Sequence, residues 1–108
     1  MIGWVYLLLA IVFEVTGTTA MKMSEGFTKI IPSAIMIIFY MLSLTALTLA
    51  LKKFDVSMAY AIWSGVGTAL IALIGFYFFK EEMNIVKILS IGFIILGVIG
   101  LHLSGEYS

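Results

Sequence analysis

One carboxyl group, that of Glu14, lies within a long apolar segment of the chain. The other eleven of the twelve charged side chains fall in short polar connectors or in the C-terminal tail. A central Asp, Lys or Arg costs about 2.5–3.5 kcal/mol on membrane-insertion scales, and such residues usually face a bundle interior or a wet cavity on a transport pathway. We therefore expect Glu14 to be the functional residue. The alternative is a protonated carboxyl group that only ties helices together by hydrogen bonds.

Small side chains surround Glu14 on its own helix, and aromatic rings lie on one face of the predicted third helix. Residues three and four positions apart share a helix face, so the neighbours of Glu14 are Ala10, Gly17 and Thr18. The same spacing on the third helix groups Tyr60, Trp63, Ser64 and Gly67, and Tyr40 supplies another ring. An aromatic face beside a desolvated carboxylate suits an organic cation, because cation–π attraction reaches about 2 kcal/mol or more there. Core packing is the alternative for Trp63.

The partner of Glu14 is expected to be a proton or a bound cation, because no Lys or Arg lies within a predicted span. Burial away from water favours the neutral form of a carboxyl group, so such a group can take up and release protons near neutral pH. If the site faces each side of the membrane in turn, competition between proton and cation couples proton inflow to cation outflow. These residues therefore predict an antiporter.

The elements that must position these residues are four membrane-spanning helices. The chain has 108 residues, of which 63% are hydrophobic and 11% charged, whereas soluble domains have about 25% charged residues. Its charge-poor segments cover residues 2–21, 30–51, 56–79 and 88–105, near the ~17–25 residues that cross a bilayer. Backbone polar groups in lipid must be paired internally. We therefore predict an all-α integral membrane protein with one four-helix transmembrane domain over residues 1–108.

The composition excludes several other functions. The chain has no cysteine, one histidine and zero net charge, so it offers no thiol chemistry, no zinc site and no basic surface for nucleic acid. No arrangement of Ser, His and Asp or of phosphate-binding residues predicts an enzyme. We expect no metal and no cofactor.

Glycine and serine positions suggest how the helices move and assemble. Gly65 and Gly67 lie near the middle of the third span, where they weaken the helix by about 1 kcal/mol each relative to Ala; they predict a hinge, with close packing as the alternative. On the fourth helix a seven-residue repeat lines small side chains along one face, at Ser90, Gly97 and Ser104. We expect this face to form a dimer interface, so that one cavity holds two copies of Glu14.

Three segments resemble the small multidrug resistance family, in its quaternary ammonium compound exporter subtype. Residues 10–22 read AIVFEVTGTTAMK, residues 24–29 read SEGFTK and residues 59–67 read AYAIWSGVG. The resemblance implies an antiparallel homodimer in the bacterial inner (cell) membrane that exchanges protons for aromatic or quaternary ammonium cations. It implies that Glu14 binds proton and substrate, that Gly65 and Gly67 form a kink, and that the substrate is lined by Ala10, Gly17, Thr18, Tyr40, Ser43, Tyr60 and Trp63.

Two positions indicate the subtype. The guanidinium-exporting branch of the family typically has Trp at the position of Gly17 and lacks a tyrosine at that of Tyr40, so the drug-exporting branch fits better. Within transport, the alternatives are an exporter of guanidinium or a polyamine, and one subunit of a paired heterodimeric transporter. Outside it, the alternatives are a passive channel or rotor-type proteolipid and a structural membrane subunit.

Overall fold

The computed structural model describes residues 2–104 of the chain as four α-helices. They are α1 (Ile2–Met23), α2 (Ile30–Ala50), α3 (Val56–Phe78) and α4 (Ile85–Ser104). Each helix is long and apolar enough to cross a membrane, and no strand occurs between residues 2 and 104. The predicted all-α, four-span fold is thereby confirmed. The dimer stays a prediction.

The helix ends differ by a few residues from the charge-free segments. The largest difference is at α4, which begins at Ile85 rather than at residue 88, because Asn84 caps it: the Lys87 backbone N–H donates to Asn84 Oδ1 over 2.8 Å. A side-chain oxygen of this kind satisfies one of the unpaired N–H groups of a first helical turn. Lys87 therefore lies inside the helix. Residue 105, the last of the predicted fourth span, lies outside the described residues.

A tight turn joins α1 to α2 and is organised by Ser24. The buried Ser24 hydroxyl donates to the Met21 carbonyl over 2.7 Å and accepts the Phe27 N–H. Glu25, Gly26 and Phe27 all have positive φ. Glycine adopts this backbone conformation with less strain than other residues. The Lys29 ammonium hydrogen-bonds to the exposed Glu25 carboxylate and lowers its pKa by that bond and by its charge.

The helices form an open series of neighbours rather than a closed bundle. Helix α1 packs against α2 and α3, and α4 packs mainly against α3. A buried apolar cluster around Leu7, Ile11 and Ile62 holds α1 against α3. The described residues span 44 × 35 × 17 Å, and α4 has no buried residue. This flat arrangement leaves one side of α3 and much of α4 without a protein neighbour among residues 2–104.

Candidate functional site: a carboxylate facing an aromatic cavity

A cavity of about 640 Å³ lies between α1, α3 and the first half of α4. Six of the predicted proton-binding, substrate-lining and hinge residues line it together: Glu14, Thr18, Tyr60, Trp63, Ser64 and Gly67. The volume falls within the ~300–1,000 Å³ of sites that hold drug-sized ligands. Sequence positions from two helices therefore meet at one site, as the helical spacing predicts.

Glu14 projects from the middle of α1 and belongs to a chain of hydroxyl groups. Thr18, one turn further along α1, donates its hydroxyl proton to Glu14 Oε1 over 2.7 Å. The same Thr18 oxygen lies 2.6 Å from the Tyr40 hydroxyl of α2. Because a threonine has only one hydroxyl proton, Tyr40 must donate to Thr18 while Thr18 donates to Glu14. The two hydroxyl groups thus form a hydrogen-bonded chain that ends at the carboxylate.

Two glycines make room for this arrangement. A Cβ on Gly67 of α3 would lie 3.2 Å from Glu14 Oε2, so the carboxylate contacts the α3 backbone closely. A Cβ on Gly17 would lie 2.5 Å from Cδ1 of the Tyr40 ring, which is closer than a carbon contact allows. Gly17 therefore lets Tyr40 pack flat against α1 and reach Thr18.

Two aromatic rings on α3 form a wall of the cavity. Tyr60 and Trp63 meet edge to face, with their ring centroids 5.3 Å apart. The Trp63 indole N–H is buried and has no hydrogen-bond partner among residues 2–104. The Ser64 hydroxyl donates to the Tyr60 carbonyl over 2.8 Å within its own helix. The wall thus consists of two aromatic rings, one of which has a buried indole N–H that is unpaired among the described residues.

The remaining predicted lining residues lie behind the cavity, between α1 and α2. Ala10, Gly17 and Ser43 are buried there, and the Ser43 hydroxyl donates to the Ala10 carbonyl over 2.7 Å. Tyr40 reaches the site only through Thr18. In the conformation described here these four residues support the site from behind and do not form its surface.

The predicted hinge glycines belong to α3, and the predicted interface residues belong to α4. Gly65 is buried, and a Cβ there would lie 2.7 Å from Cγ2 of Val98. Helix α3 continues without a break through Gly65 and Gly67. Ser90 lines the cavity, whereas Gly97 has no heavy atom of the described residues within 4 Å of a Cβ placed on it. The Ser104 hydroxyl donates to the Leu101 carbonyl.

Sequence reasoning missed the end of the cavity nearest the α3–α4 connection. Glu81 and Lys87 line that end. The sequence predicts that both lie in a short polar connector, because they are outside the apolar segments. The asparagine at position 84 was the available signal, because an N-cap there places Lys87 inside the helix.

Fold and site together define a class: a multi-pass membrane protein whose intramembrane carboxylate faces an aromatic cavity. A family model described as Small Multidrug Resistance protein matches residues 2–94. The chain therefore belongs to the small multidrug resistance family, which confirms the resemblance noted from its motifs. Members of this family are membrane transporters of drugs and not enzymes, and the chain is a multi-pass protein of the bacterial inner membrane.

Individual relatives match over nearly the whole chain. An uncharacterized membrane protein of Bacillus subtilis, YvaE, is 57% identical over 101 residues, which are 94% of this chain and 85% of the relative. The multidrug resistance protein EbrB of Bacillus subtilis is 46% identical over 98% of this chain and 91% of its own length. The quaternary ammonium compound-resistance protein QacE of Escherichia coli is 42% identical over 98% and 96%.

Proposed function

We propose that this small multidrug exporter is a proton-coupled antiporter of hydrophobic and aromatic organic cations, and that Glu14 binds either a proton or the cation. One observation supports the proposal above others. The Glu14 carboxylate faces a cavity that Tyr60 and Trp63 also line, and no ion pair joins it to another residue between positions 2 and 104. Its charge is therefore available to a ligand.

Proton and cation compete for the same carboxylate in this mechanism. With a cation bound, Glu14 is ionised and accepts a hydrogen bond from the Thr18 hydroxyl group. The structure contains this hydrogen bond. With a proton bound, the carboxyl group becomes a donor, and the hydroxyl chain through Thr18 to Tyr40 can reverse its direction. The hydroxyl groups of α1 and α2 thus satisfy either state without moving the helices apart.

The cavity favours a bulky substrate over guanidinium. Its volume of about 640 Å³ is that of a drug-sized site, and the two rings offer apolar and cation–π contacts to an aromatic or alkylated ammonium ion. The relative named as a quaternary ammonium compound-resistance protein, QacE, is consistent with this choice. Export of a smaller metabolic cation remains the alternative.

Transport further requires that the site opens to each side of the membrane in turn. We propose that α3 bends at Gly65 and Gly67, and that two copies of the chain assemble antiparallel through the α4 face of Ser90, Gly97 and Ser104. The absence of buried residues on α4 between positions 85 and 104 supports an additional helix neighbour. Such a dimer places a second Glu14 beside the first.

A paired transporter is the alternative to the homodimer. Two distinct relatives from Bacillus atrophaeus, the multidrug resistance proteins EbrA and EbrB, are 42% and 45% identical to this chain. Both cover 94% of it, so a single organism holds two similar subunits. Transport by the purified chain alone decides between the two assemblies.

The test is transport current from the purified chain in liposomes under an imposed proton gradient, with tetrapropylammonium, a planar aromatic cation and guanidinium as substrates. We expect currents with the first two, and we expect Glu14→Gln to abolish them because the neutral amide cannot exchange a proton. Glu25→Gln, in the exposed turn, is the matched control and should keep them. Proton-driven uptake retained by Glu14→Gln would exclude this mechanism, and a response to guanidinium alone would favour the smaller substrate.

A further inference from the structure

A second carboxylate lines the same cavity as Glu14. Glu81 belongs to the connection between α3 and α4, and its side chain lies at the end of the cavity opposite Tyr60. It also borders a smaller cavity of about 300 Å³ that includes Thr18 and Lys22. Glu81 therefore stands where the Glu14 cavity reaches the membrane surface.

The position of Glu81 depends on a glycine of α3. The Glu81 backbone N–H donates to the Gly75 carbonyl over 2.9 Å, which folds the connection back over the helix end. A Cβ on Gly75 would lie 2.9 Å from Glu81 Cδ and would overlap its carboxylate oxygen. An alanine at Gly75 would push the flexible end of the Glu81 side chain out of this place. Gly75 thus makes room for the Glu81 carboxylate, as Gly67 makes room for the Glu14 carboxylate.

The charge of Glu81 has no fixed partner in the described part of the chain. No ion pair joins it to another residue between positions 2 and 104. Lys87, a cation that lines this cavity with Glu81, donates its ammonium group to the Glu82 carbonyl over 3.2 Å. Lys22, which lines the smaller cavity with Glu81, forms no ion pair with it in the described part of the chain. Glu81 therefore remains free to bind a cation from the cavity.

The spacing of the two glycines gives the spacing of the two carboxylates. Gly67 and Gly75 are eight residues apart on α3, which corresponds to roughly 12 Å along the axis at 1.5 Å per residue. Thr68, Ile71 and Ala72 line the cavity over that stretch. The cavity thus has one carboxylate, Glu14, near its middle and a second, Glu81, at the end opposite Tyr60, with a partly apolar lining between them.

We propose that Glu81 is a second cation-binding residue of this cavity, and that it selects elongated dications whose two ammonium groups are joined by an apolar spacer. One ammonium group binds at Glu14 and the other at Glu81, with the spacer against Ile71 and Ala72. The inference rests on the proposed function of Glu14. A monocation needs only Glu14 and the aromatic wall.

The test compares the affinities of decamethonium, hexamethonium and tetrapropylammonium by calorimetry, using the full-length protein in lipid nanodiscs. We expect Glu81→Gln to weaken decamethonium binding by about fivefold, the upper value for a solvated ion pair, and to change tetrapropylammonium affinity by less than about twofold. Hexamethonium, with its shorter spacer, should be affected less than decamethonium. Glu82→Gln, on the same loop but outside the cavity lining, is the charge-matched control.

A second variant tests the position of Glu81 without removing its charge. Gly75→Ala places a methyl group where the carboxylate lies, so it should weaken decamethonium binding as Glu81→Gln does. Gly92→Ala, where a Cβ has no described neighbour within 4 Å, should not. Unchanged decamethonium affinity in both Glu81→Gln and Gly75→Ala, with Glu14-dependent tetrapropylammonium binding intact, would overturn this inference alone. Binding of both cations that persists in Glu14→Gln would overturn the proposed function and this inference with it.

Discussion

At the scale of single residues, the site depends on hydroxyl groups as much as on its carboxylate. Thr18 donates to Glu14 and contacts the Tyr40 hydroxyl, so it connects α1 and α2 at the proposed binding site. A hydrogen bond to a charged group contributes about 1.5–3 kcal/mol. In the proposed mechanism, Thr18 therefore holds in place the carboxylate that binds the cation.

Thr18→Val removes this donor and nearly preserves the side-chain shape. We expect tetrapropylammonium binding at neutral pH to weaken by about tenfold, which corresponds to ~1.4 kcal/mol, because the ionised carboxylate loses a charge-assisted hydrogen bond, which is stronger than the neutral one lost by the protonated form. Raising the pH should recover the loss, since proton competition then falls. Thr18→Ser retains the hydroxyl and serves as the control. Identical pH profiles of binding for the Val and Ser variants would contradict this role.

At the scale of helices, Gly65 and Gly67 of α3 have two candidate roles, as a hinge and as sites of close packing. Gly65 is buried against α4, and the helix is continuous through it in the conformation described here. Gly67 contacts Glu14 instead. A bend at these glycines would therefore change the α3–α4 contact and the carboxylate environment at the same time.

The pair Gly65→Ala and Val98→Ala separates bending from packing. Gly65→Ala alone introduces an overlap with Cγ2 of Val98 and a tight 3.2 Å approach to Cγ2 of Ile94. The double variant removes the closer of these two contacts. An Ala stiffens the helix by about 1 kcal/mol relative to Gly. A hinge predicts that tetrapropylammonium turnover in liposomes stays slow in the double variant. Turnover restored to that of Val98→Ala would instead assign Gly65 a packing role.

The helices themselves were predictable from the sequence because lipid imposes a strict rule on backbone hydrogen bonds. Gaps between charged residues locate four spans, and the i, i+3, i+4 spacing correctly groups Tyr60 with Trp63. The helix ends were less predictable, since capping by Asn84 extends α4 across a charged residue. The folding back of Glu81 was not predictable, because it depends on a contact with Gly75 made only in three dimensions.

At the scale of the whole molecule, the described chain is incomplete as a packed bundle. Helix α4 has no buried residue, and exposed Phe93 and Leu96 face outward from it. Helix association within lipid depends on close packing of small residues, because lipid is as apolar as the helices. The structure shows which helices are neighbours. The sequence alone could not have shown which helix faces have no protein neighbour among the described residues.

Gly97→Leu tests the proposed dimer. A Cβ at Gly97 has open space around it in the single chain, so the substitution should leave each subunit folded while it blocks close approach of a second α4. We expect a shift from dimer to monomer by analytical ultracentrifugation in detergent, with loss of transport. Gly92→Leu, which is equally open but off the seven-residue repeat, is the control. A dimer that persists in Gly97→Leu and dissociates in Gly92→Leu would place the interface on another face of α4.

The proposed function requires that the Glu14 carboxyl group exchanges a proton for a cation. The most direct measurement is proton release when tetrapropylammonium is added to the purified, weakly buffered protein, followed with a pH indicator. If a cation displaces a proton from Glu14, protons are released in proportion to the amount of cation bound at any pH where Glu14 is partly protonated. We expect Glu14→Gln to release none. Cation binding without proton release across the acidic to neutral range would contradict it.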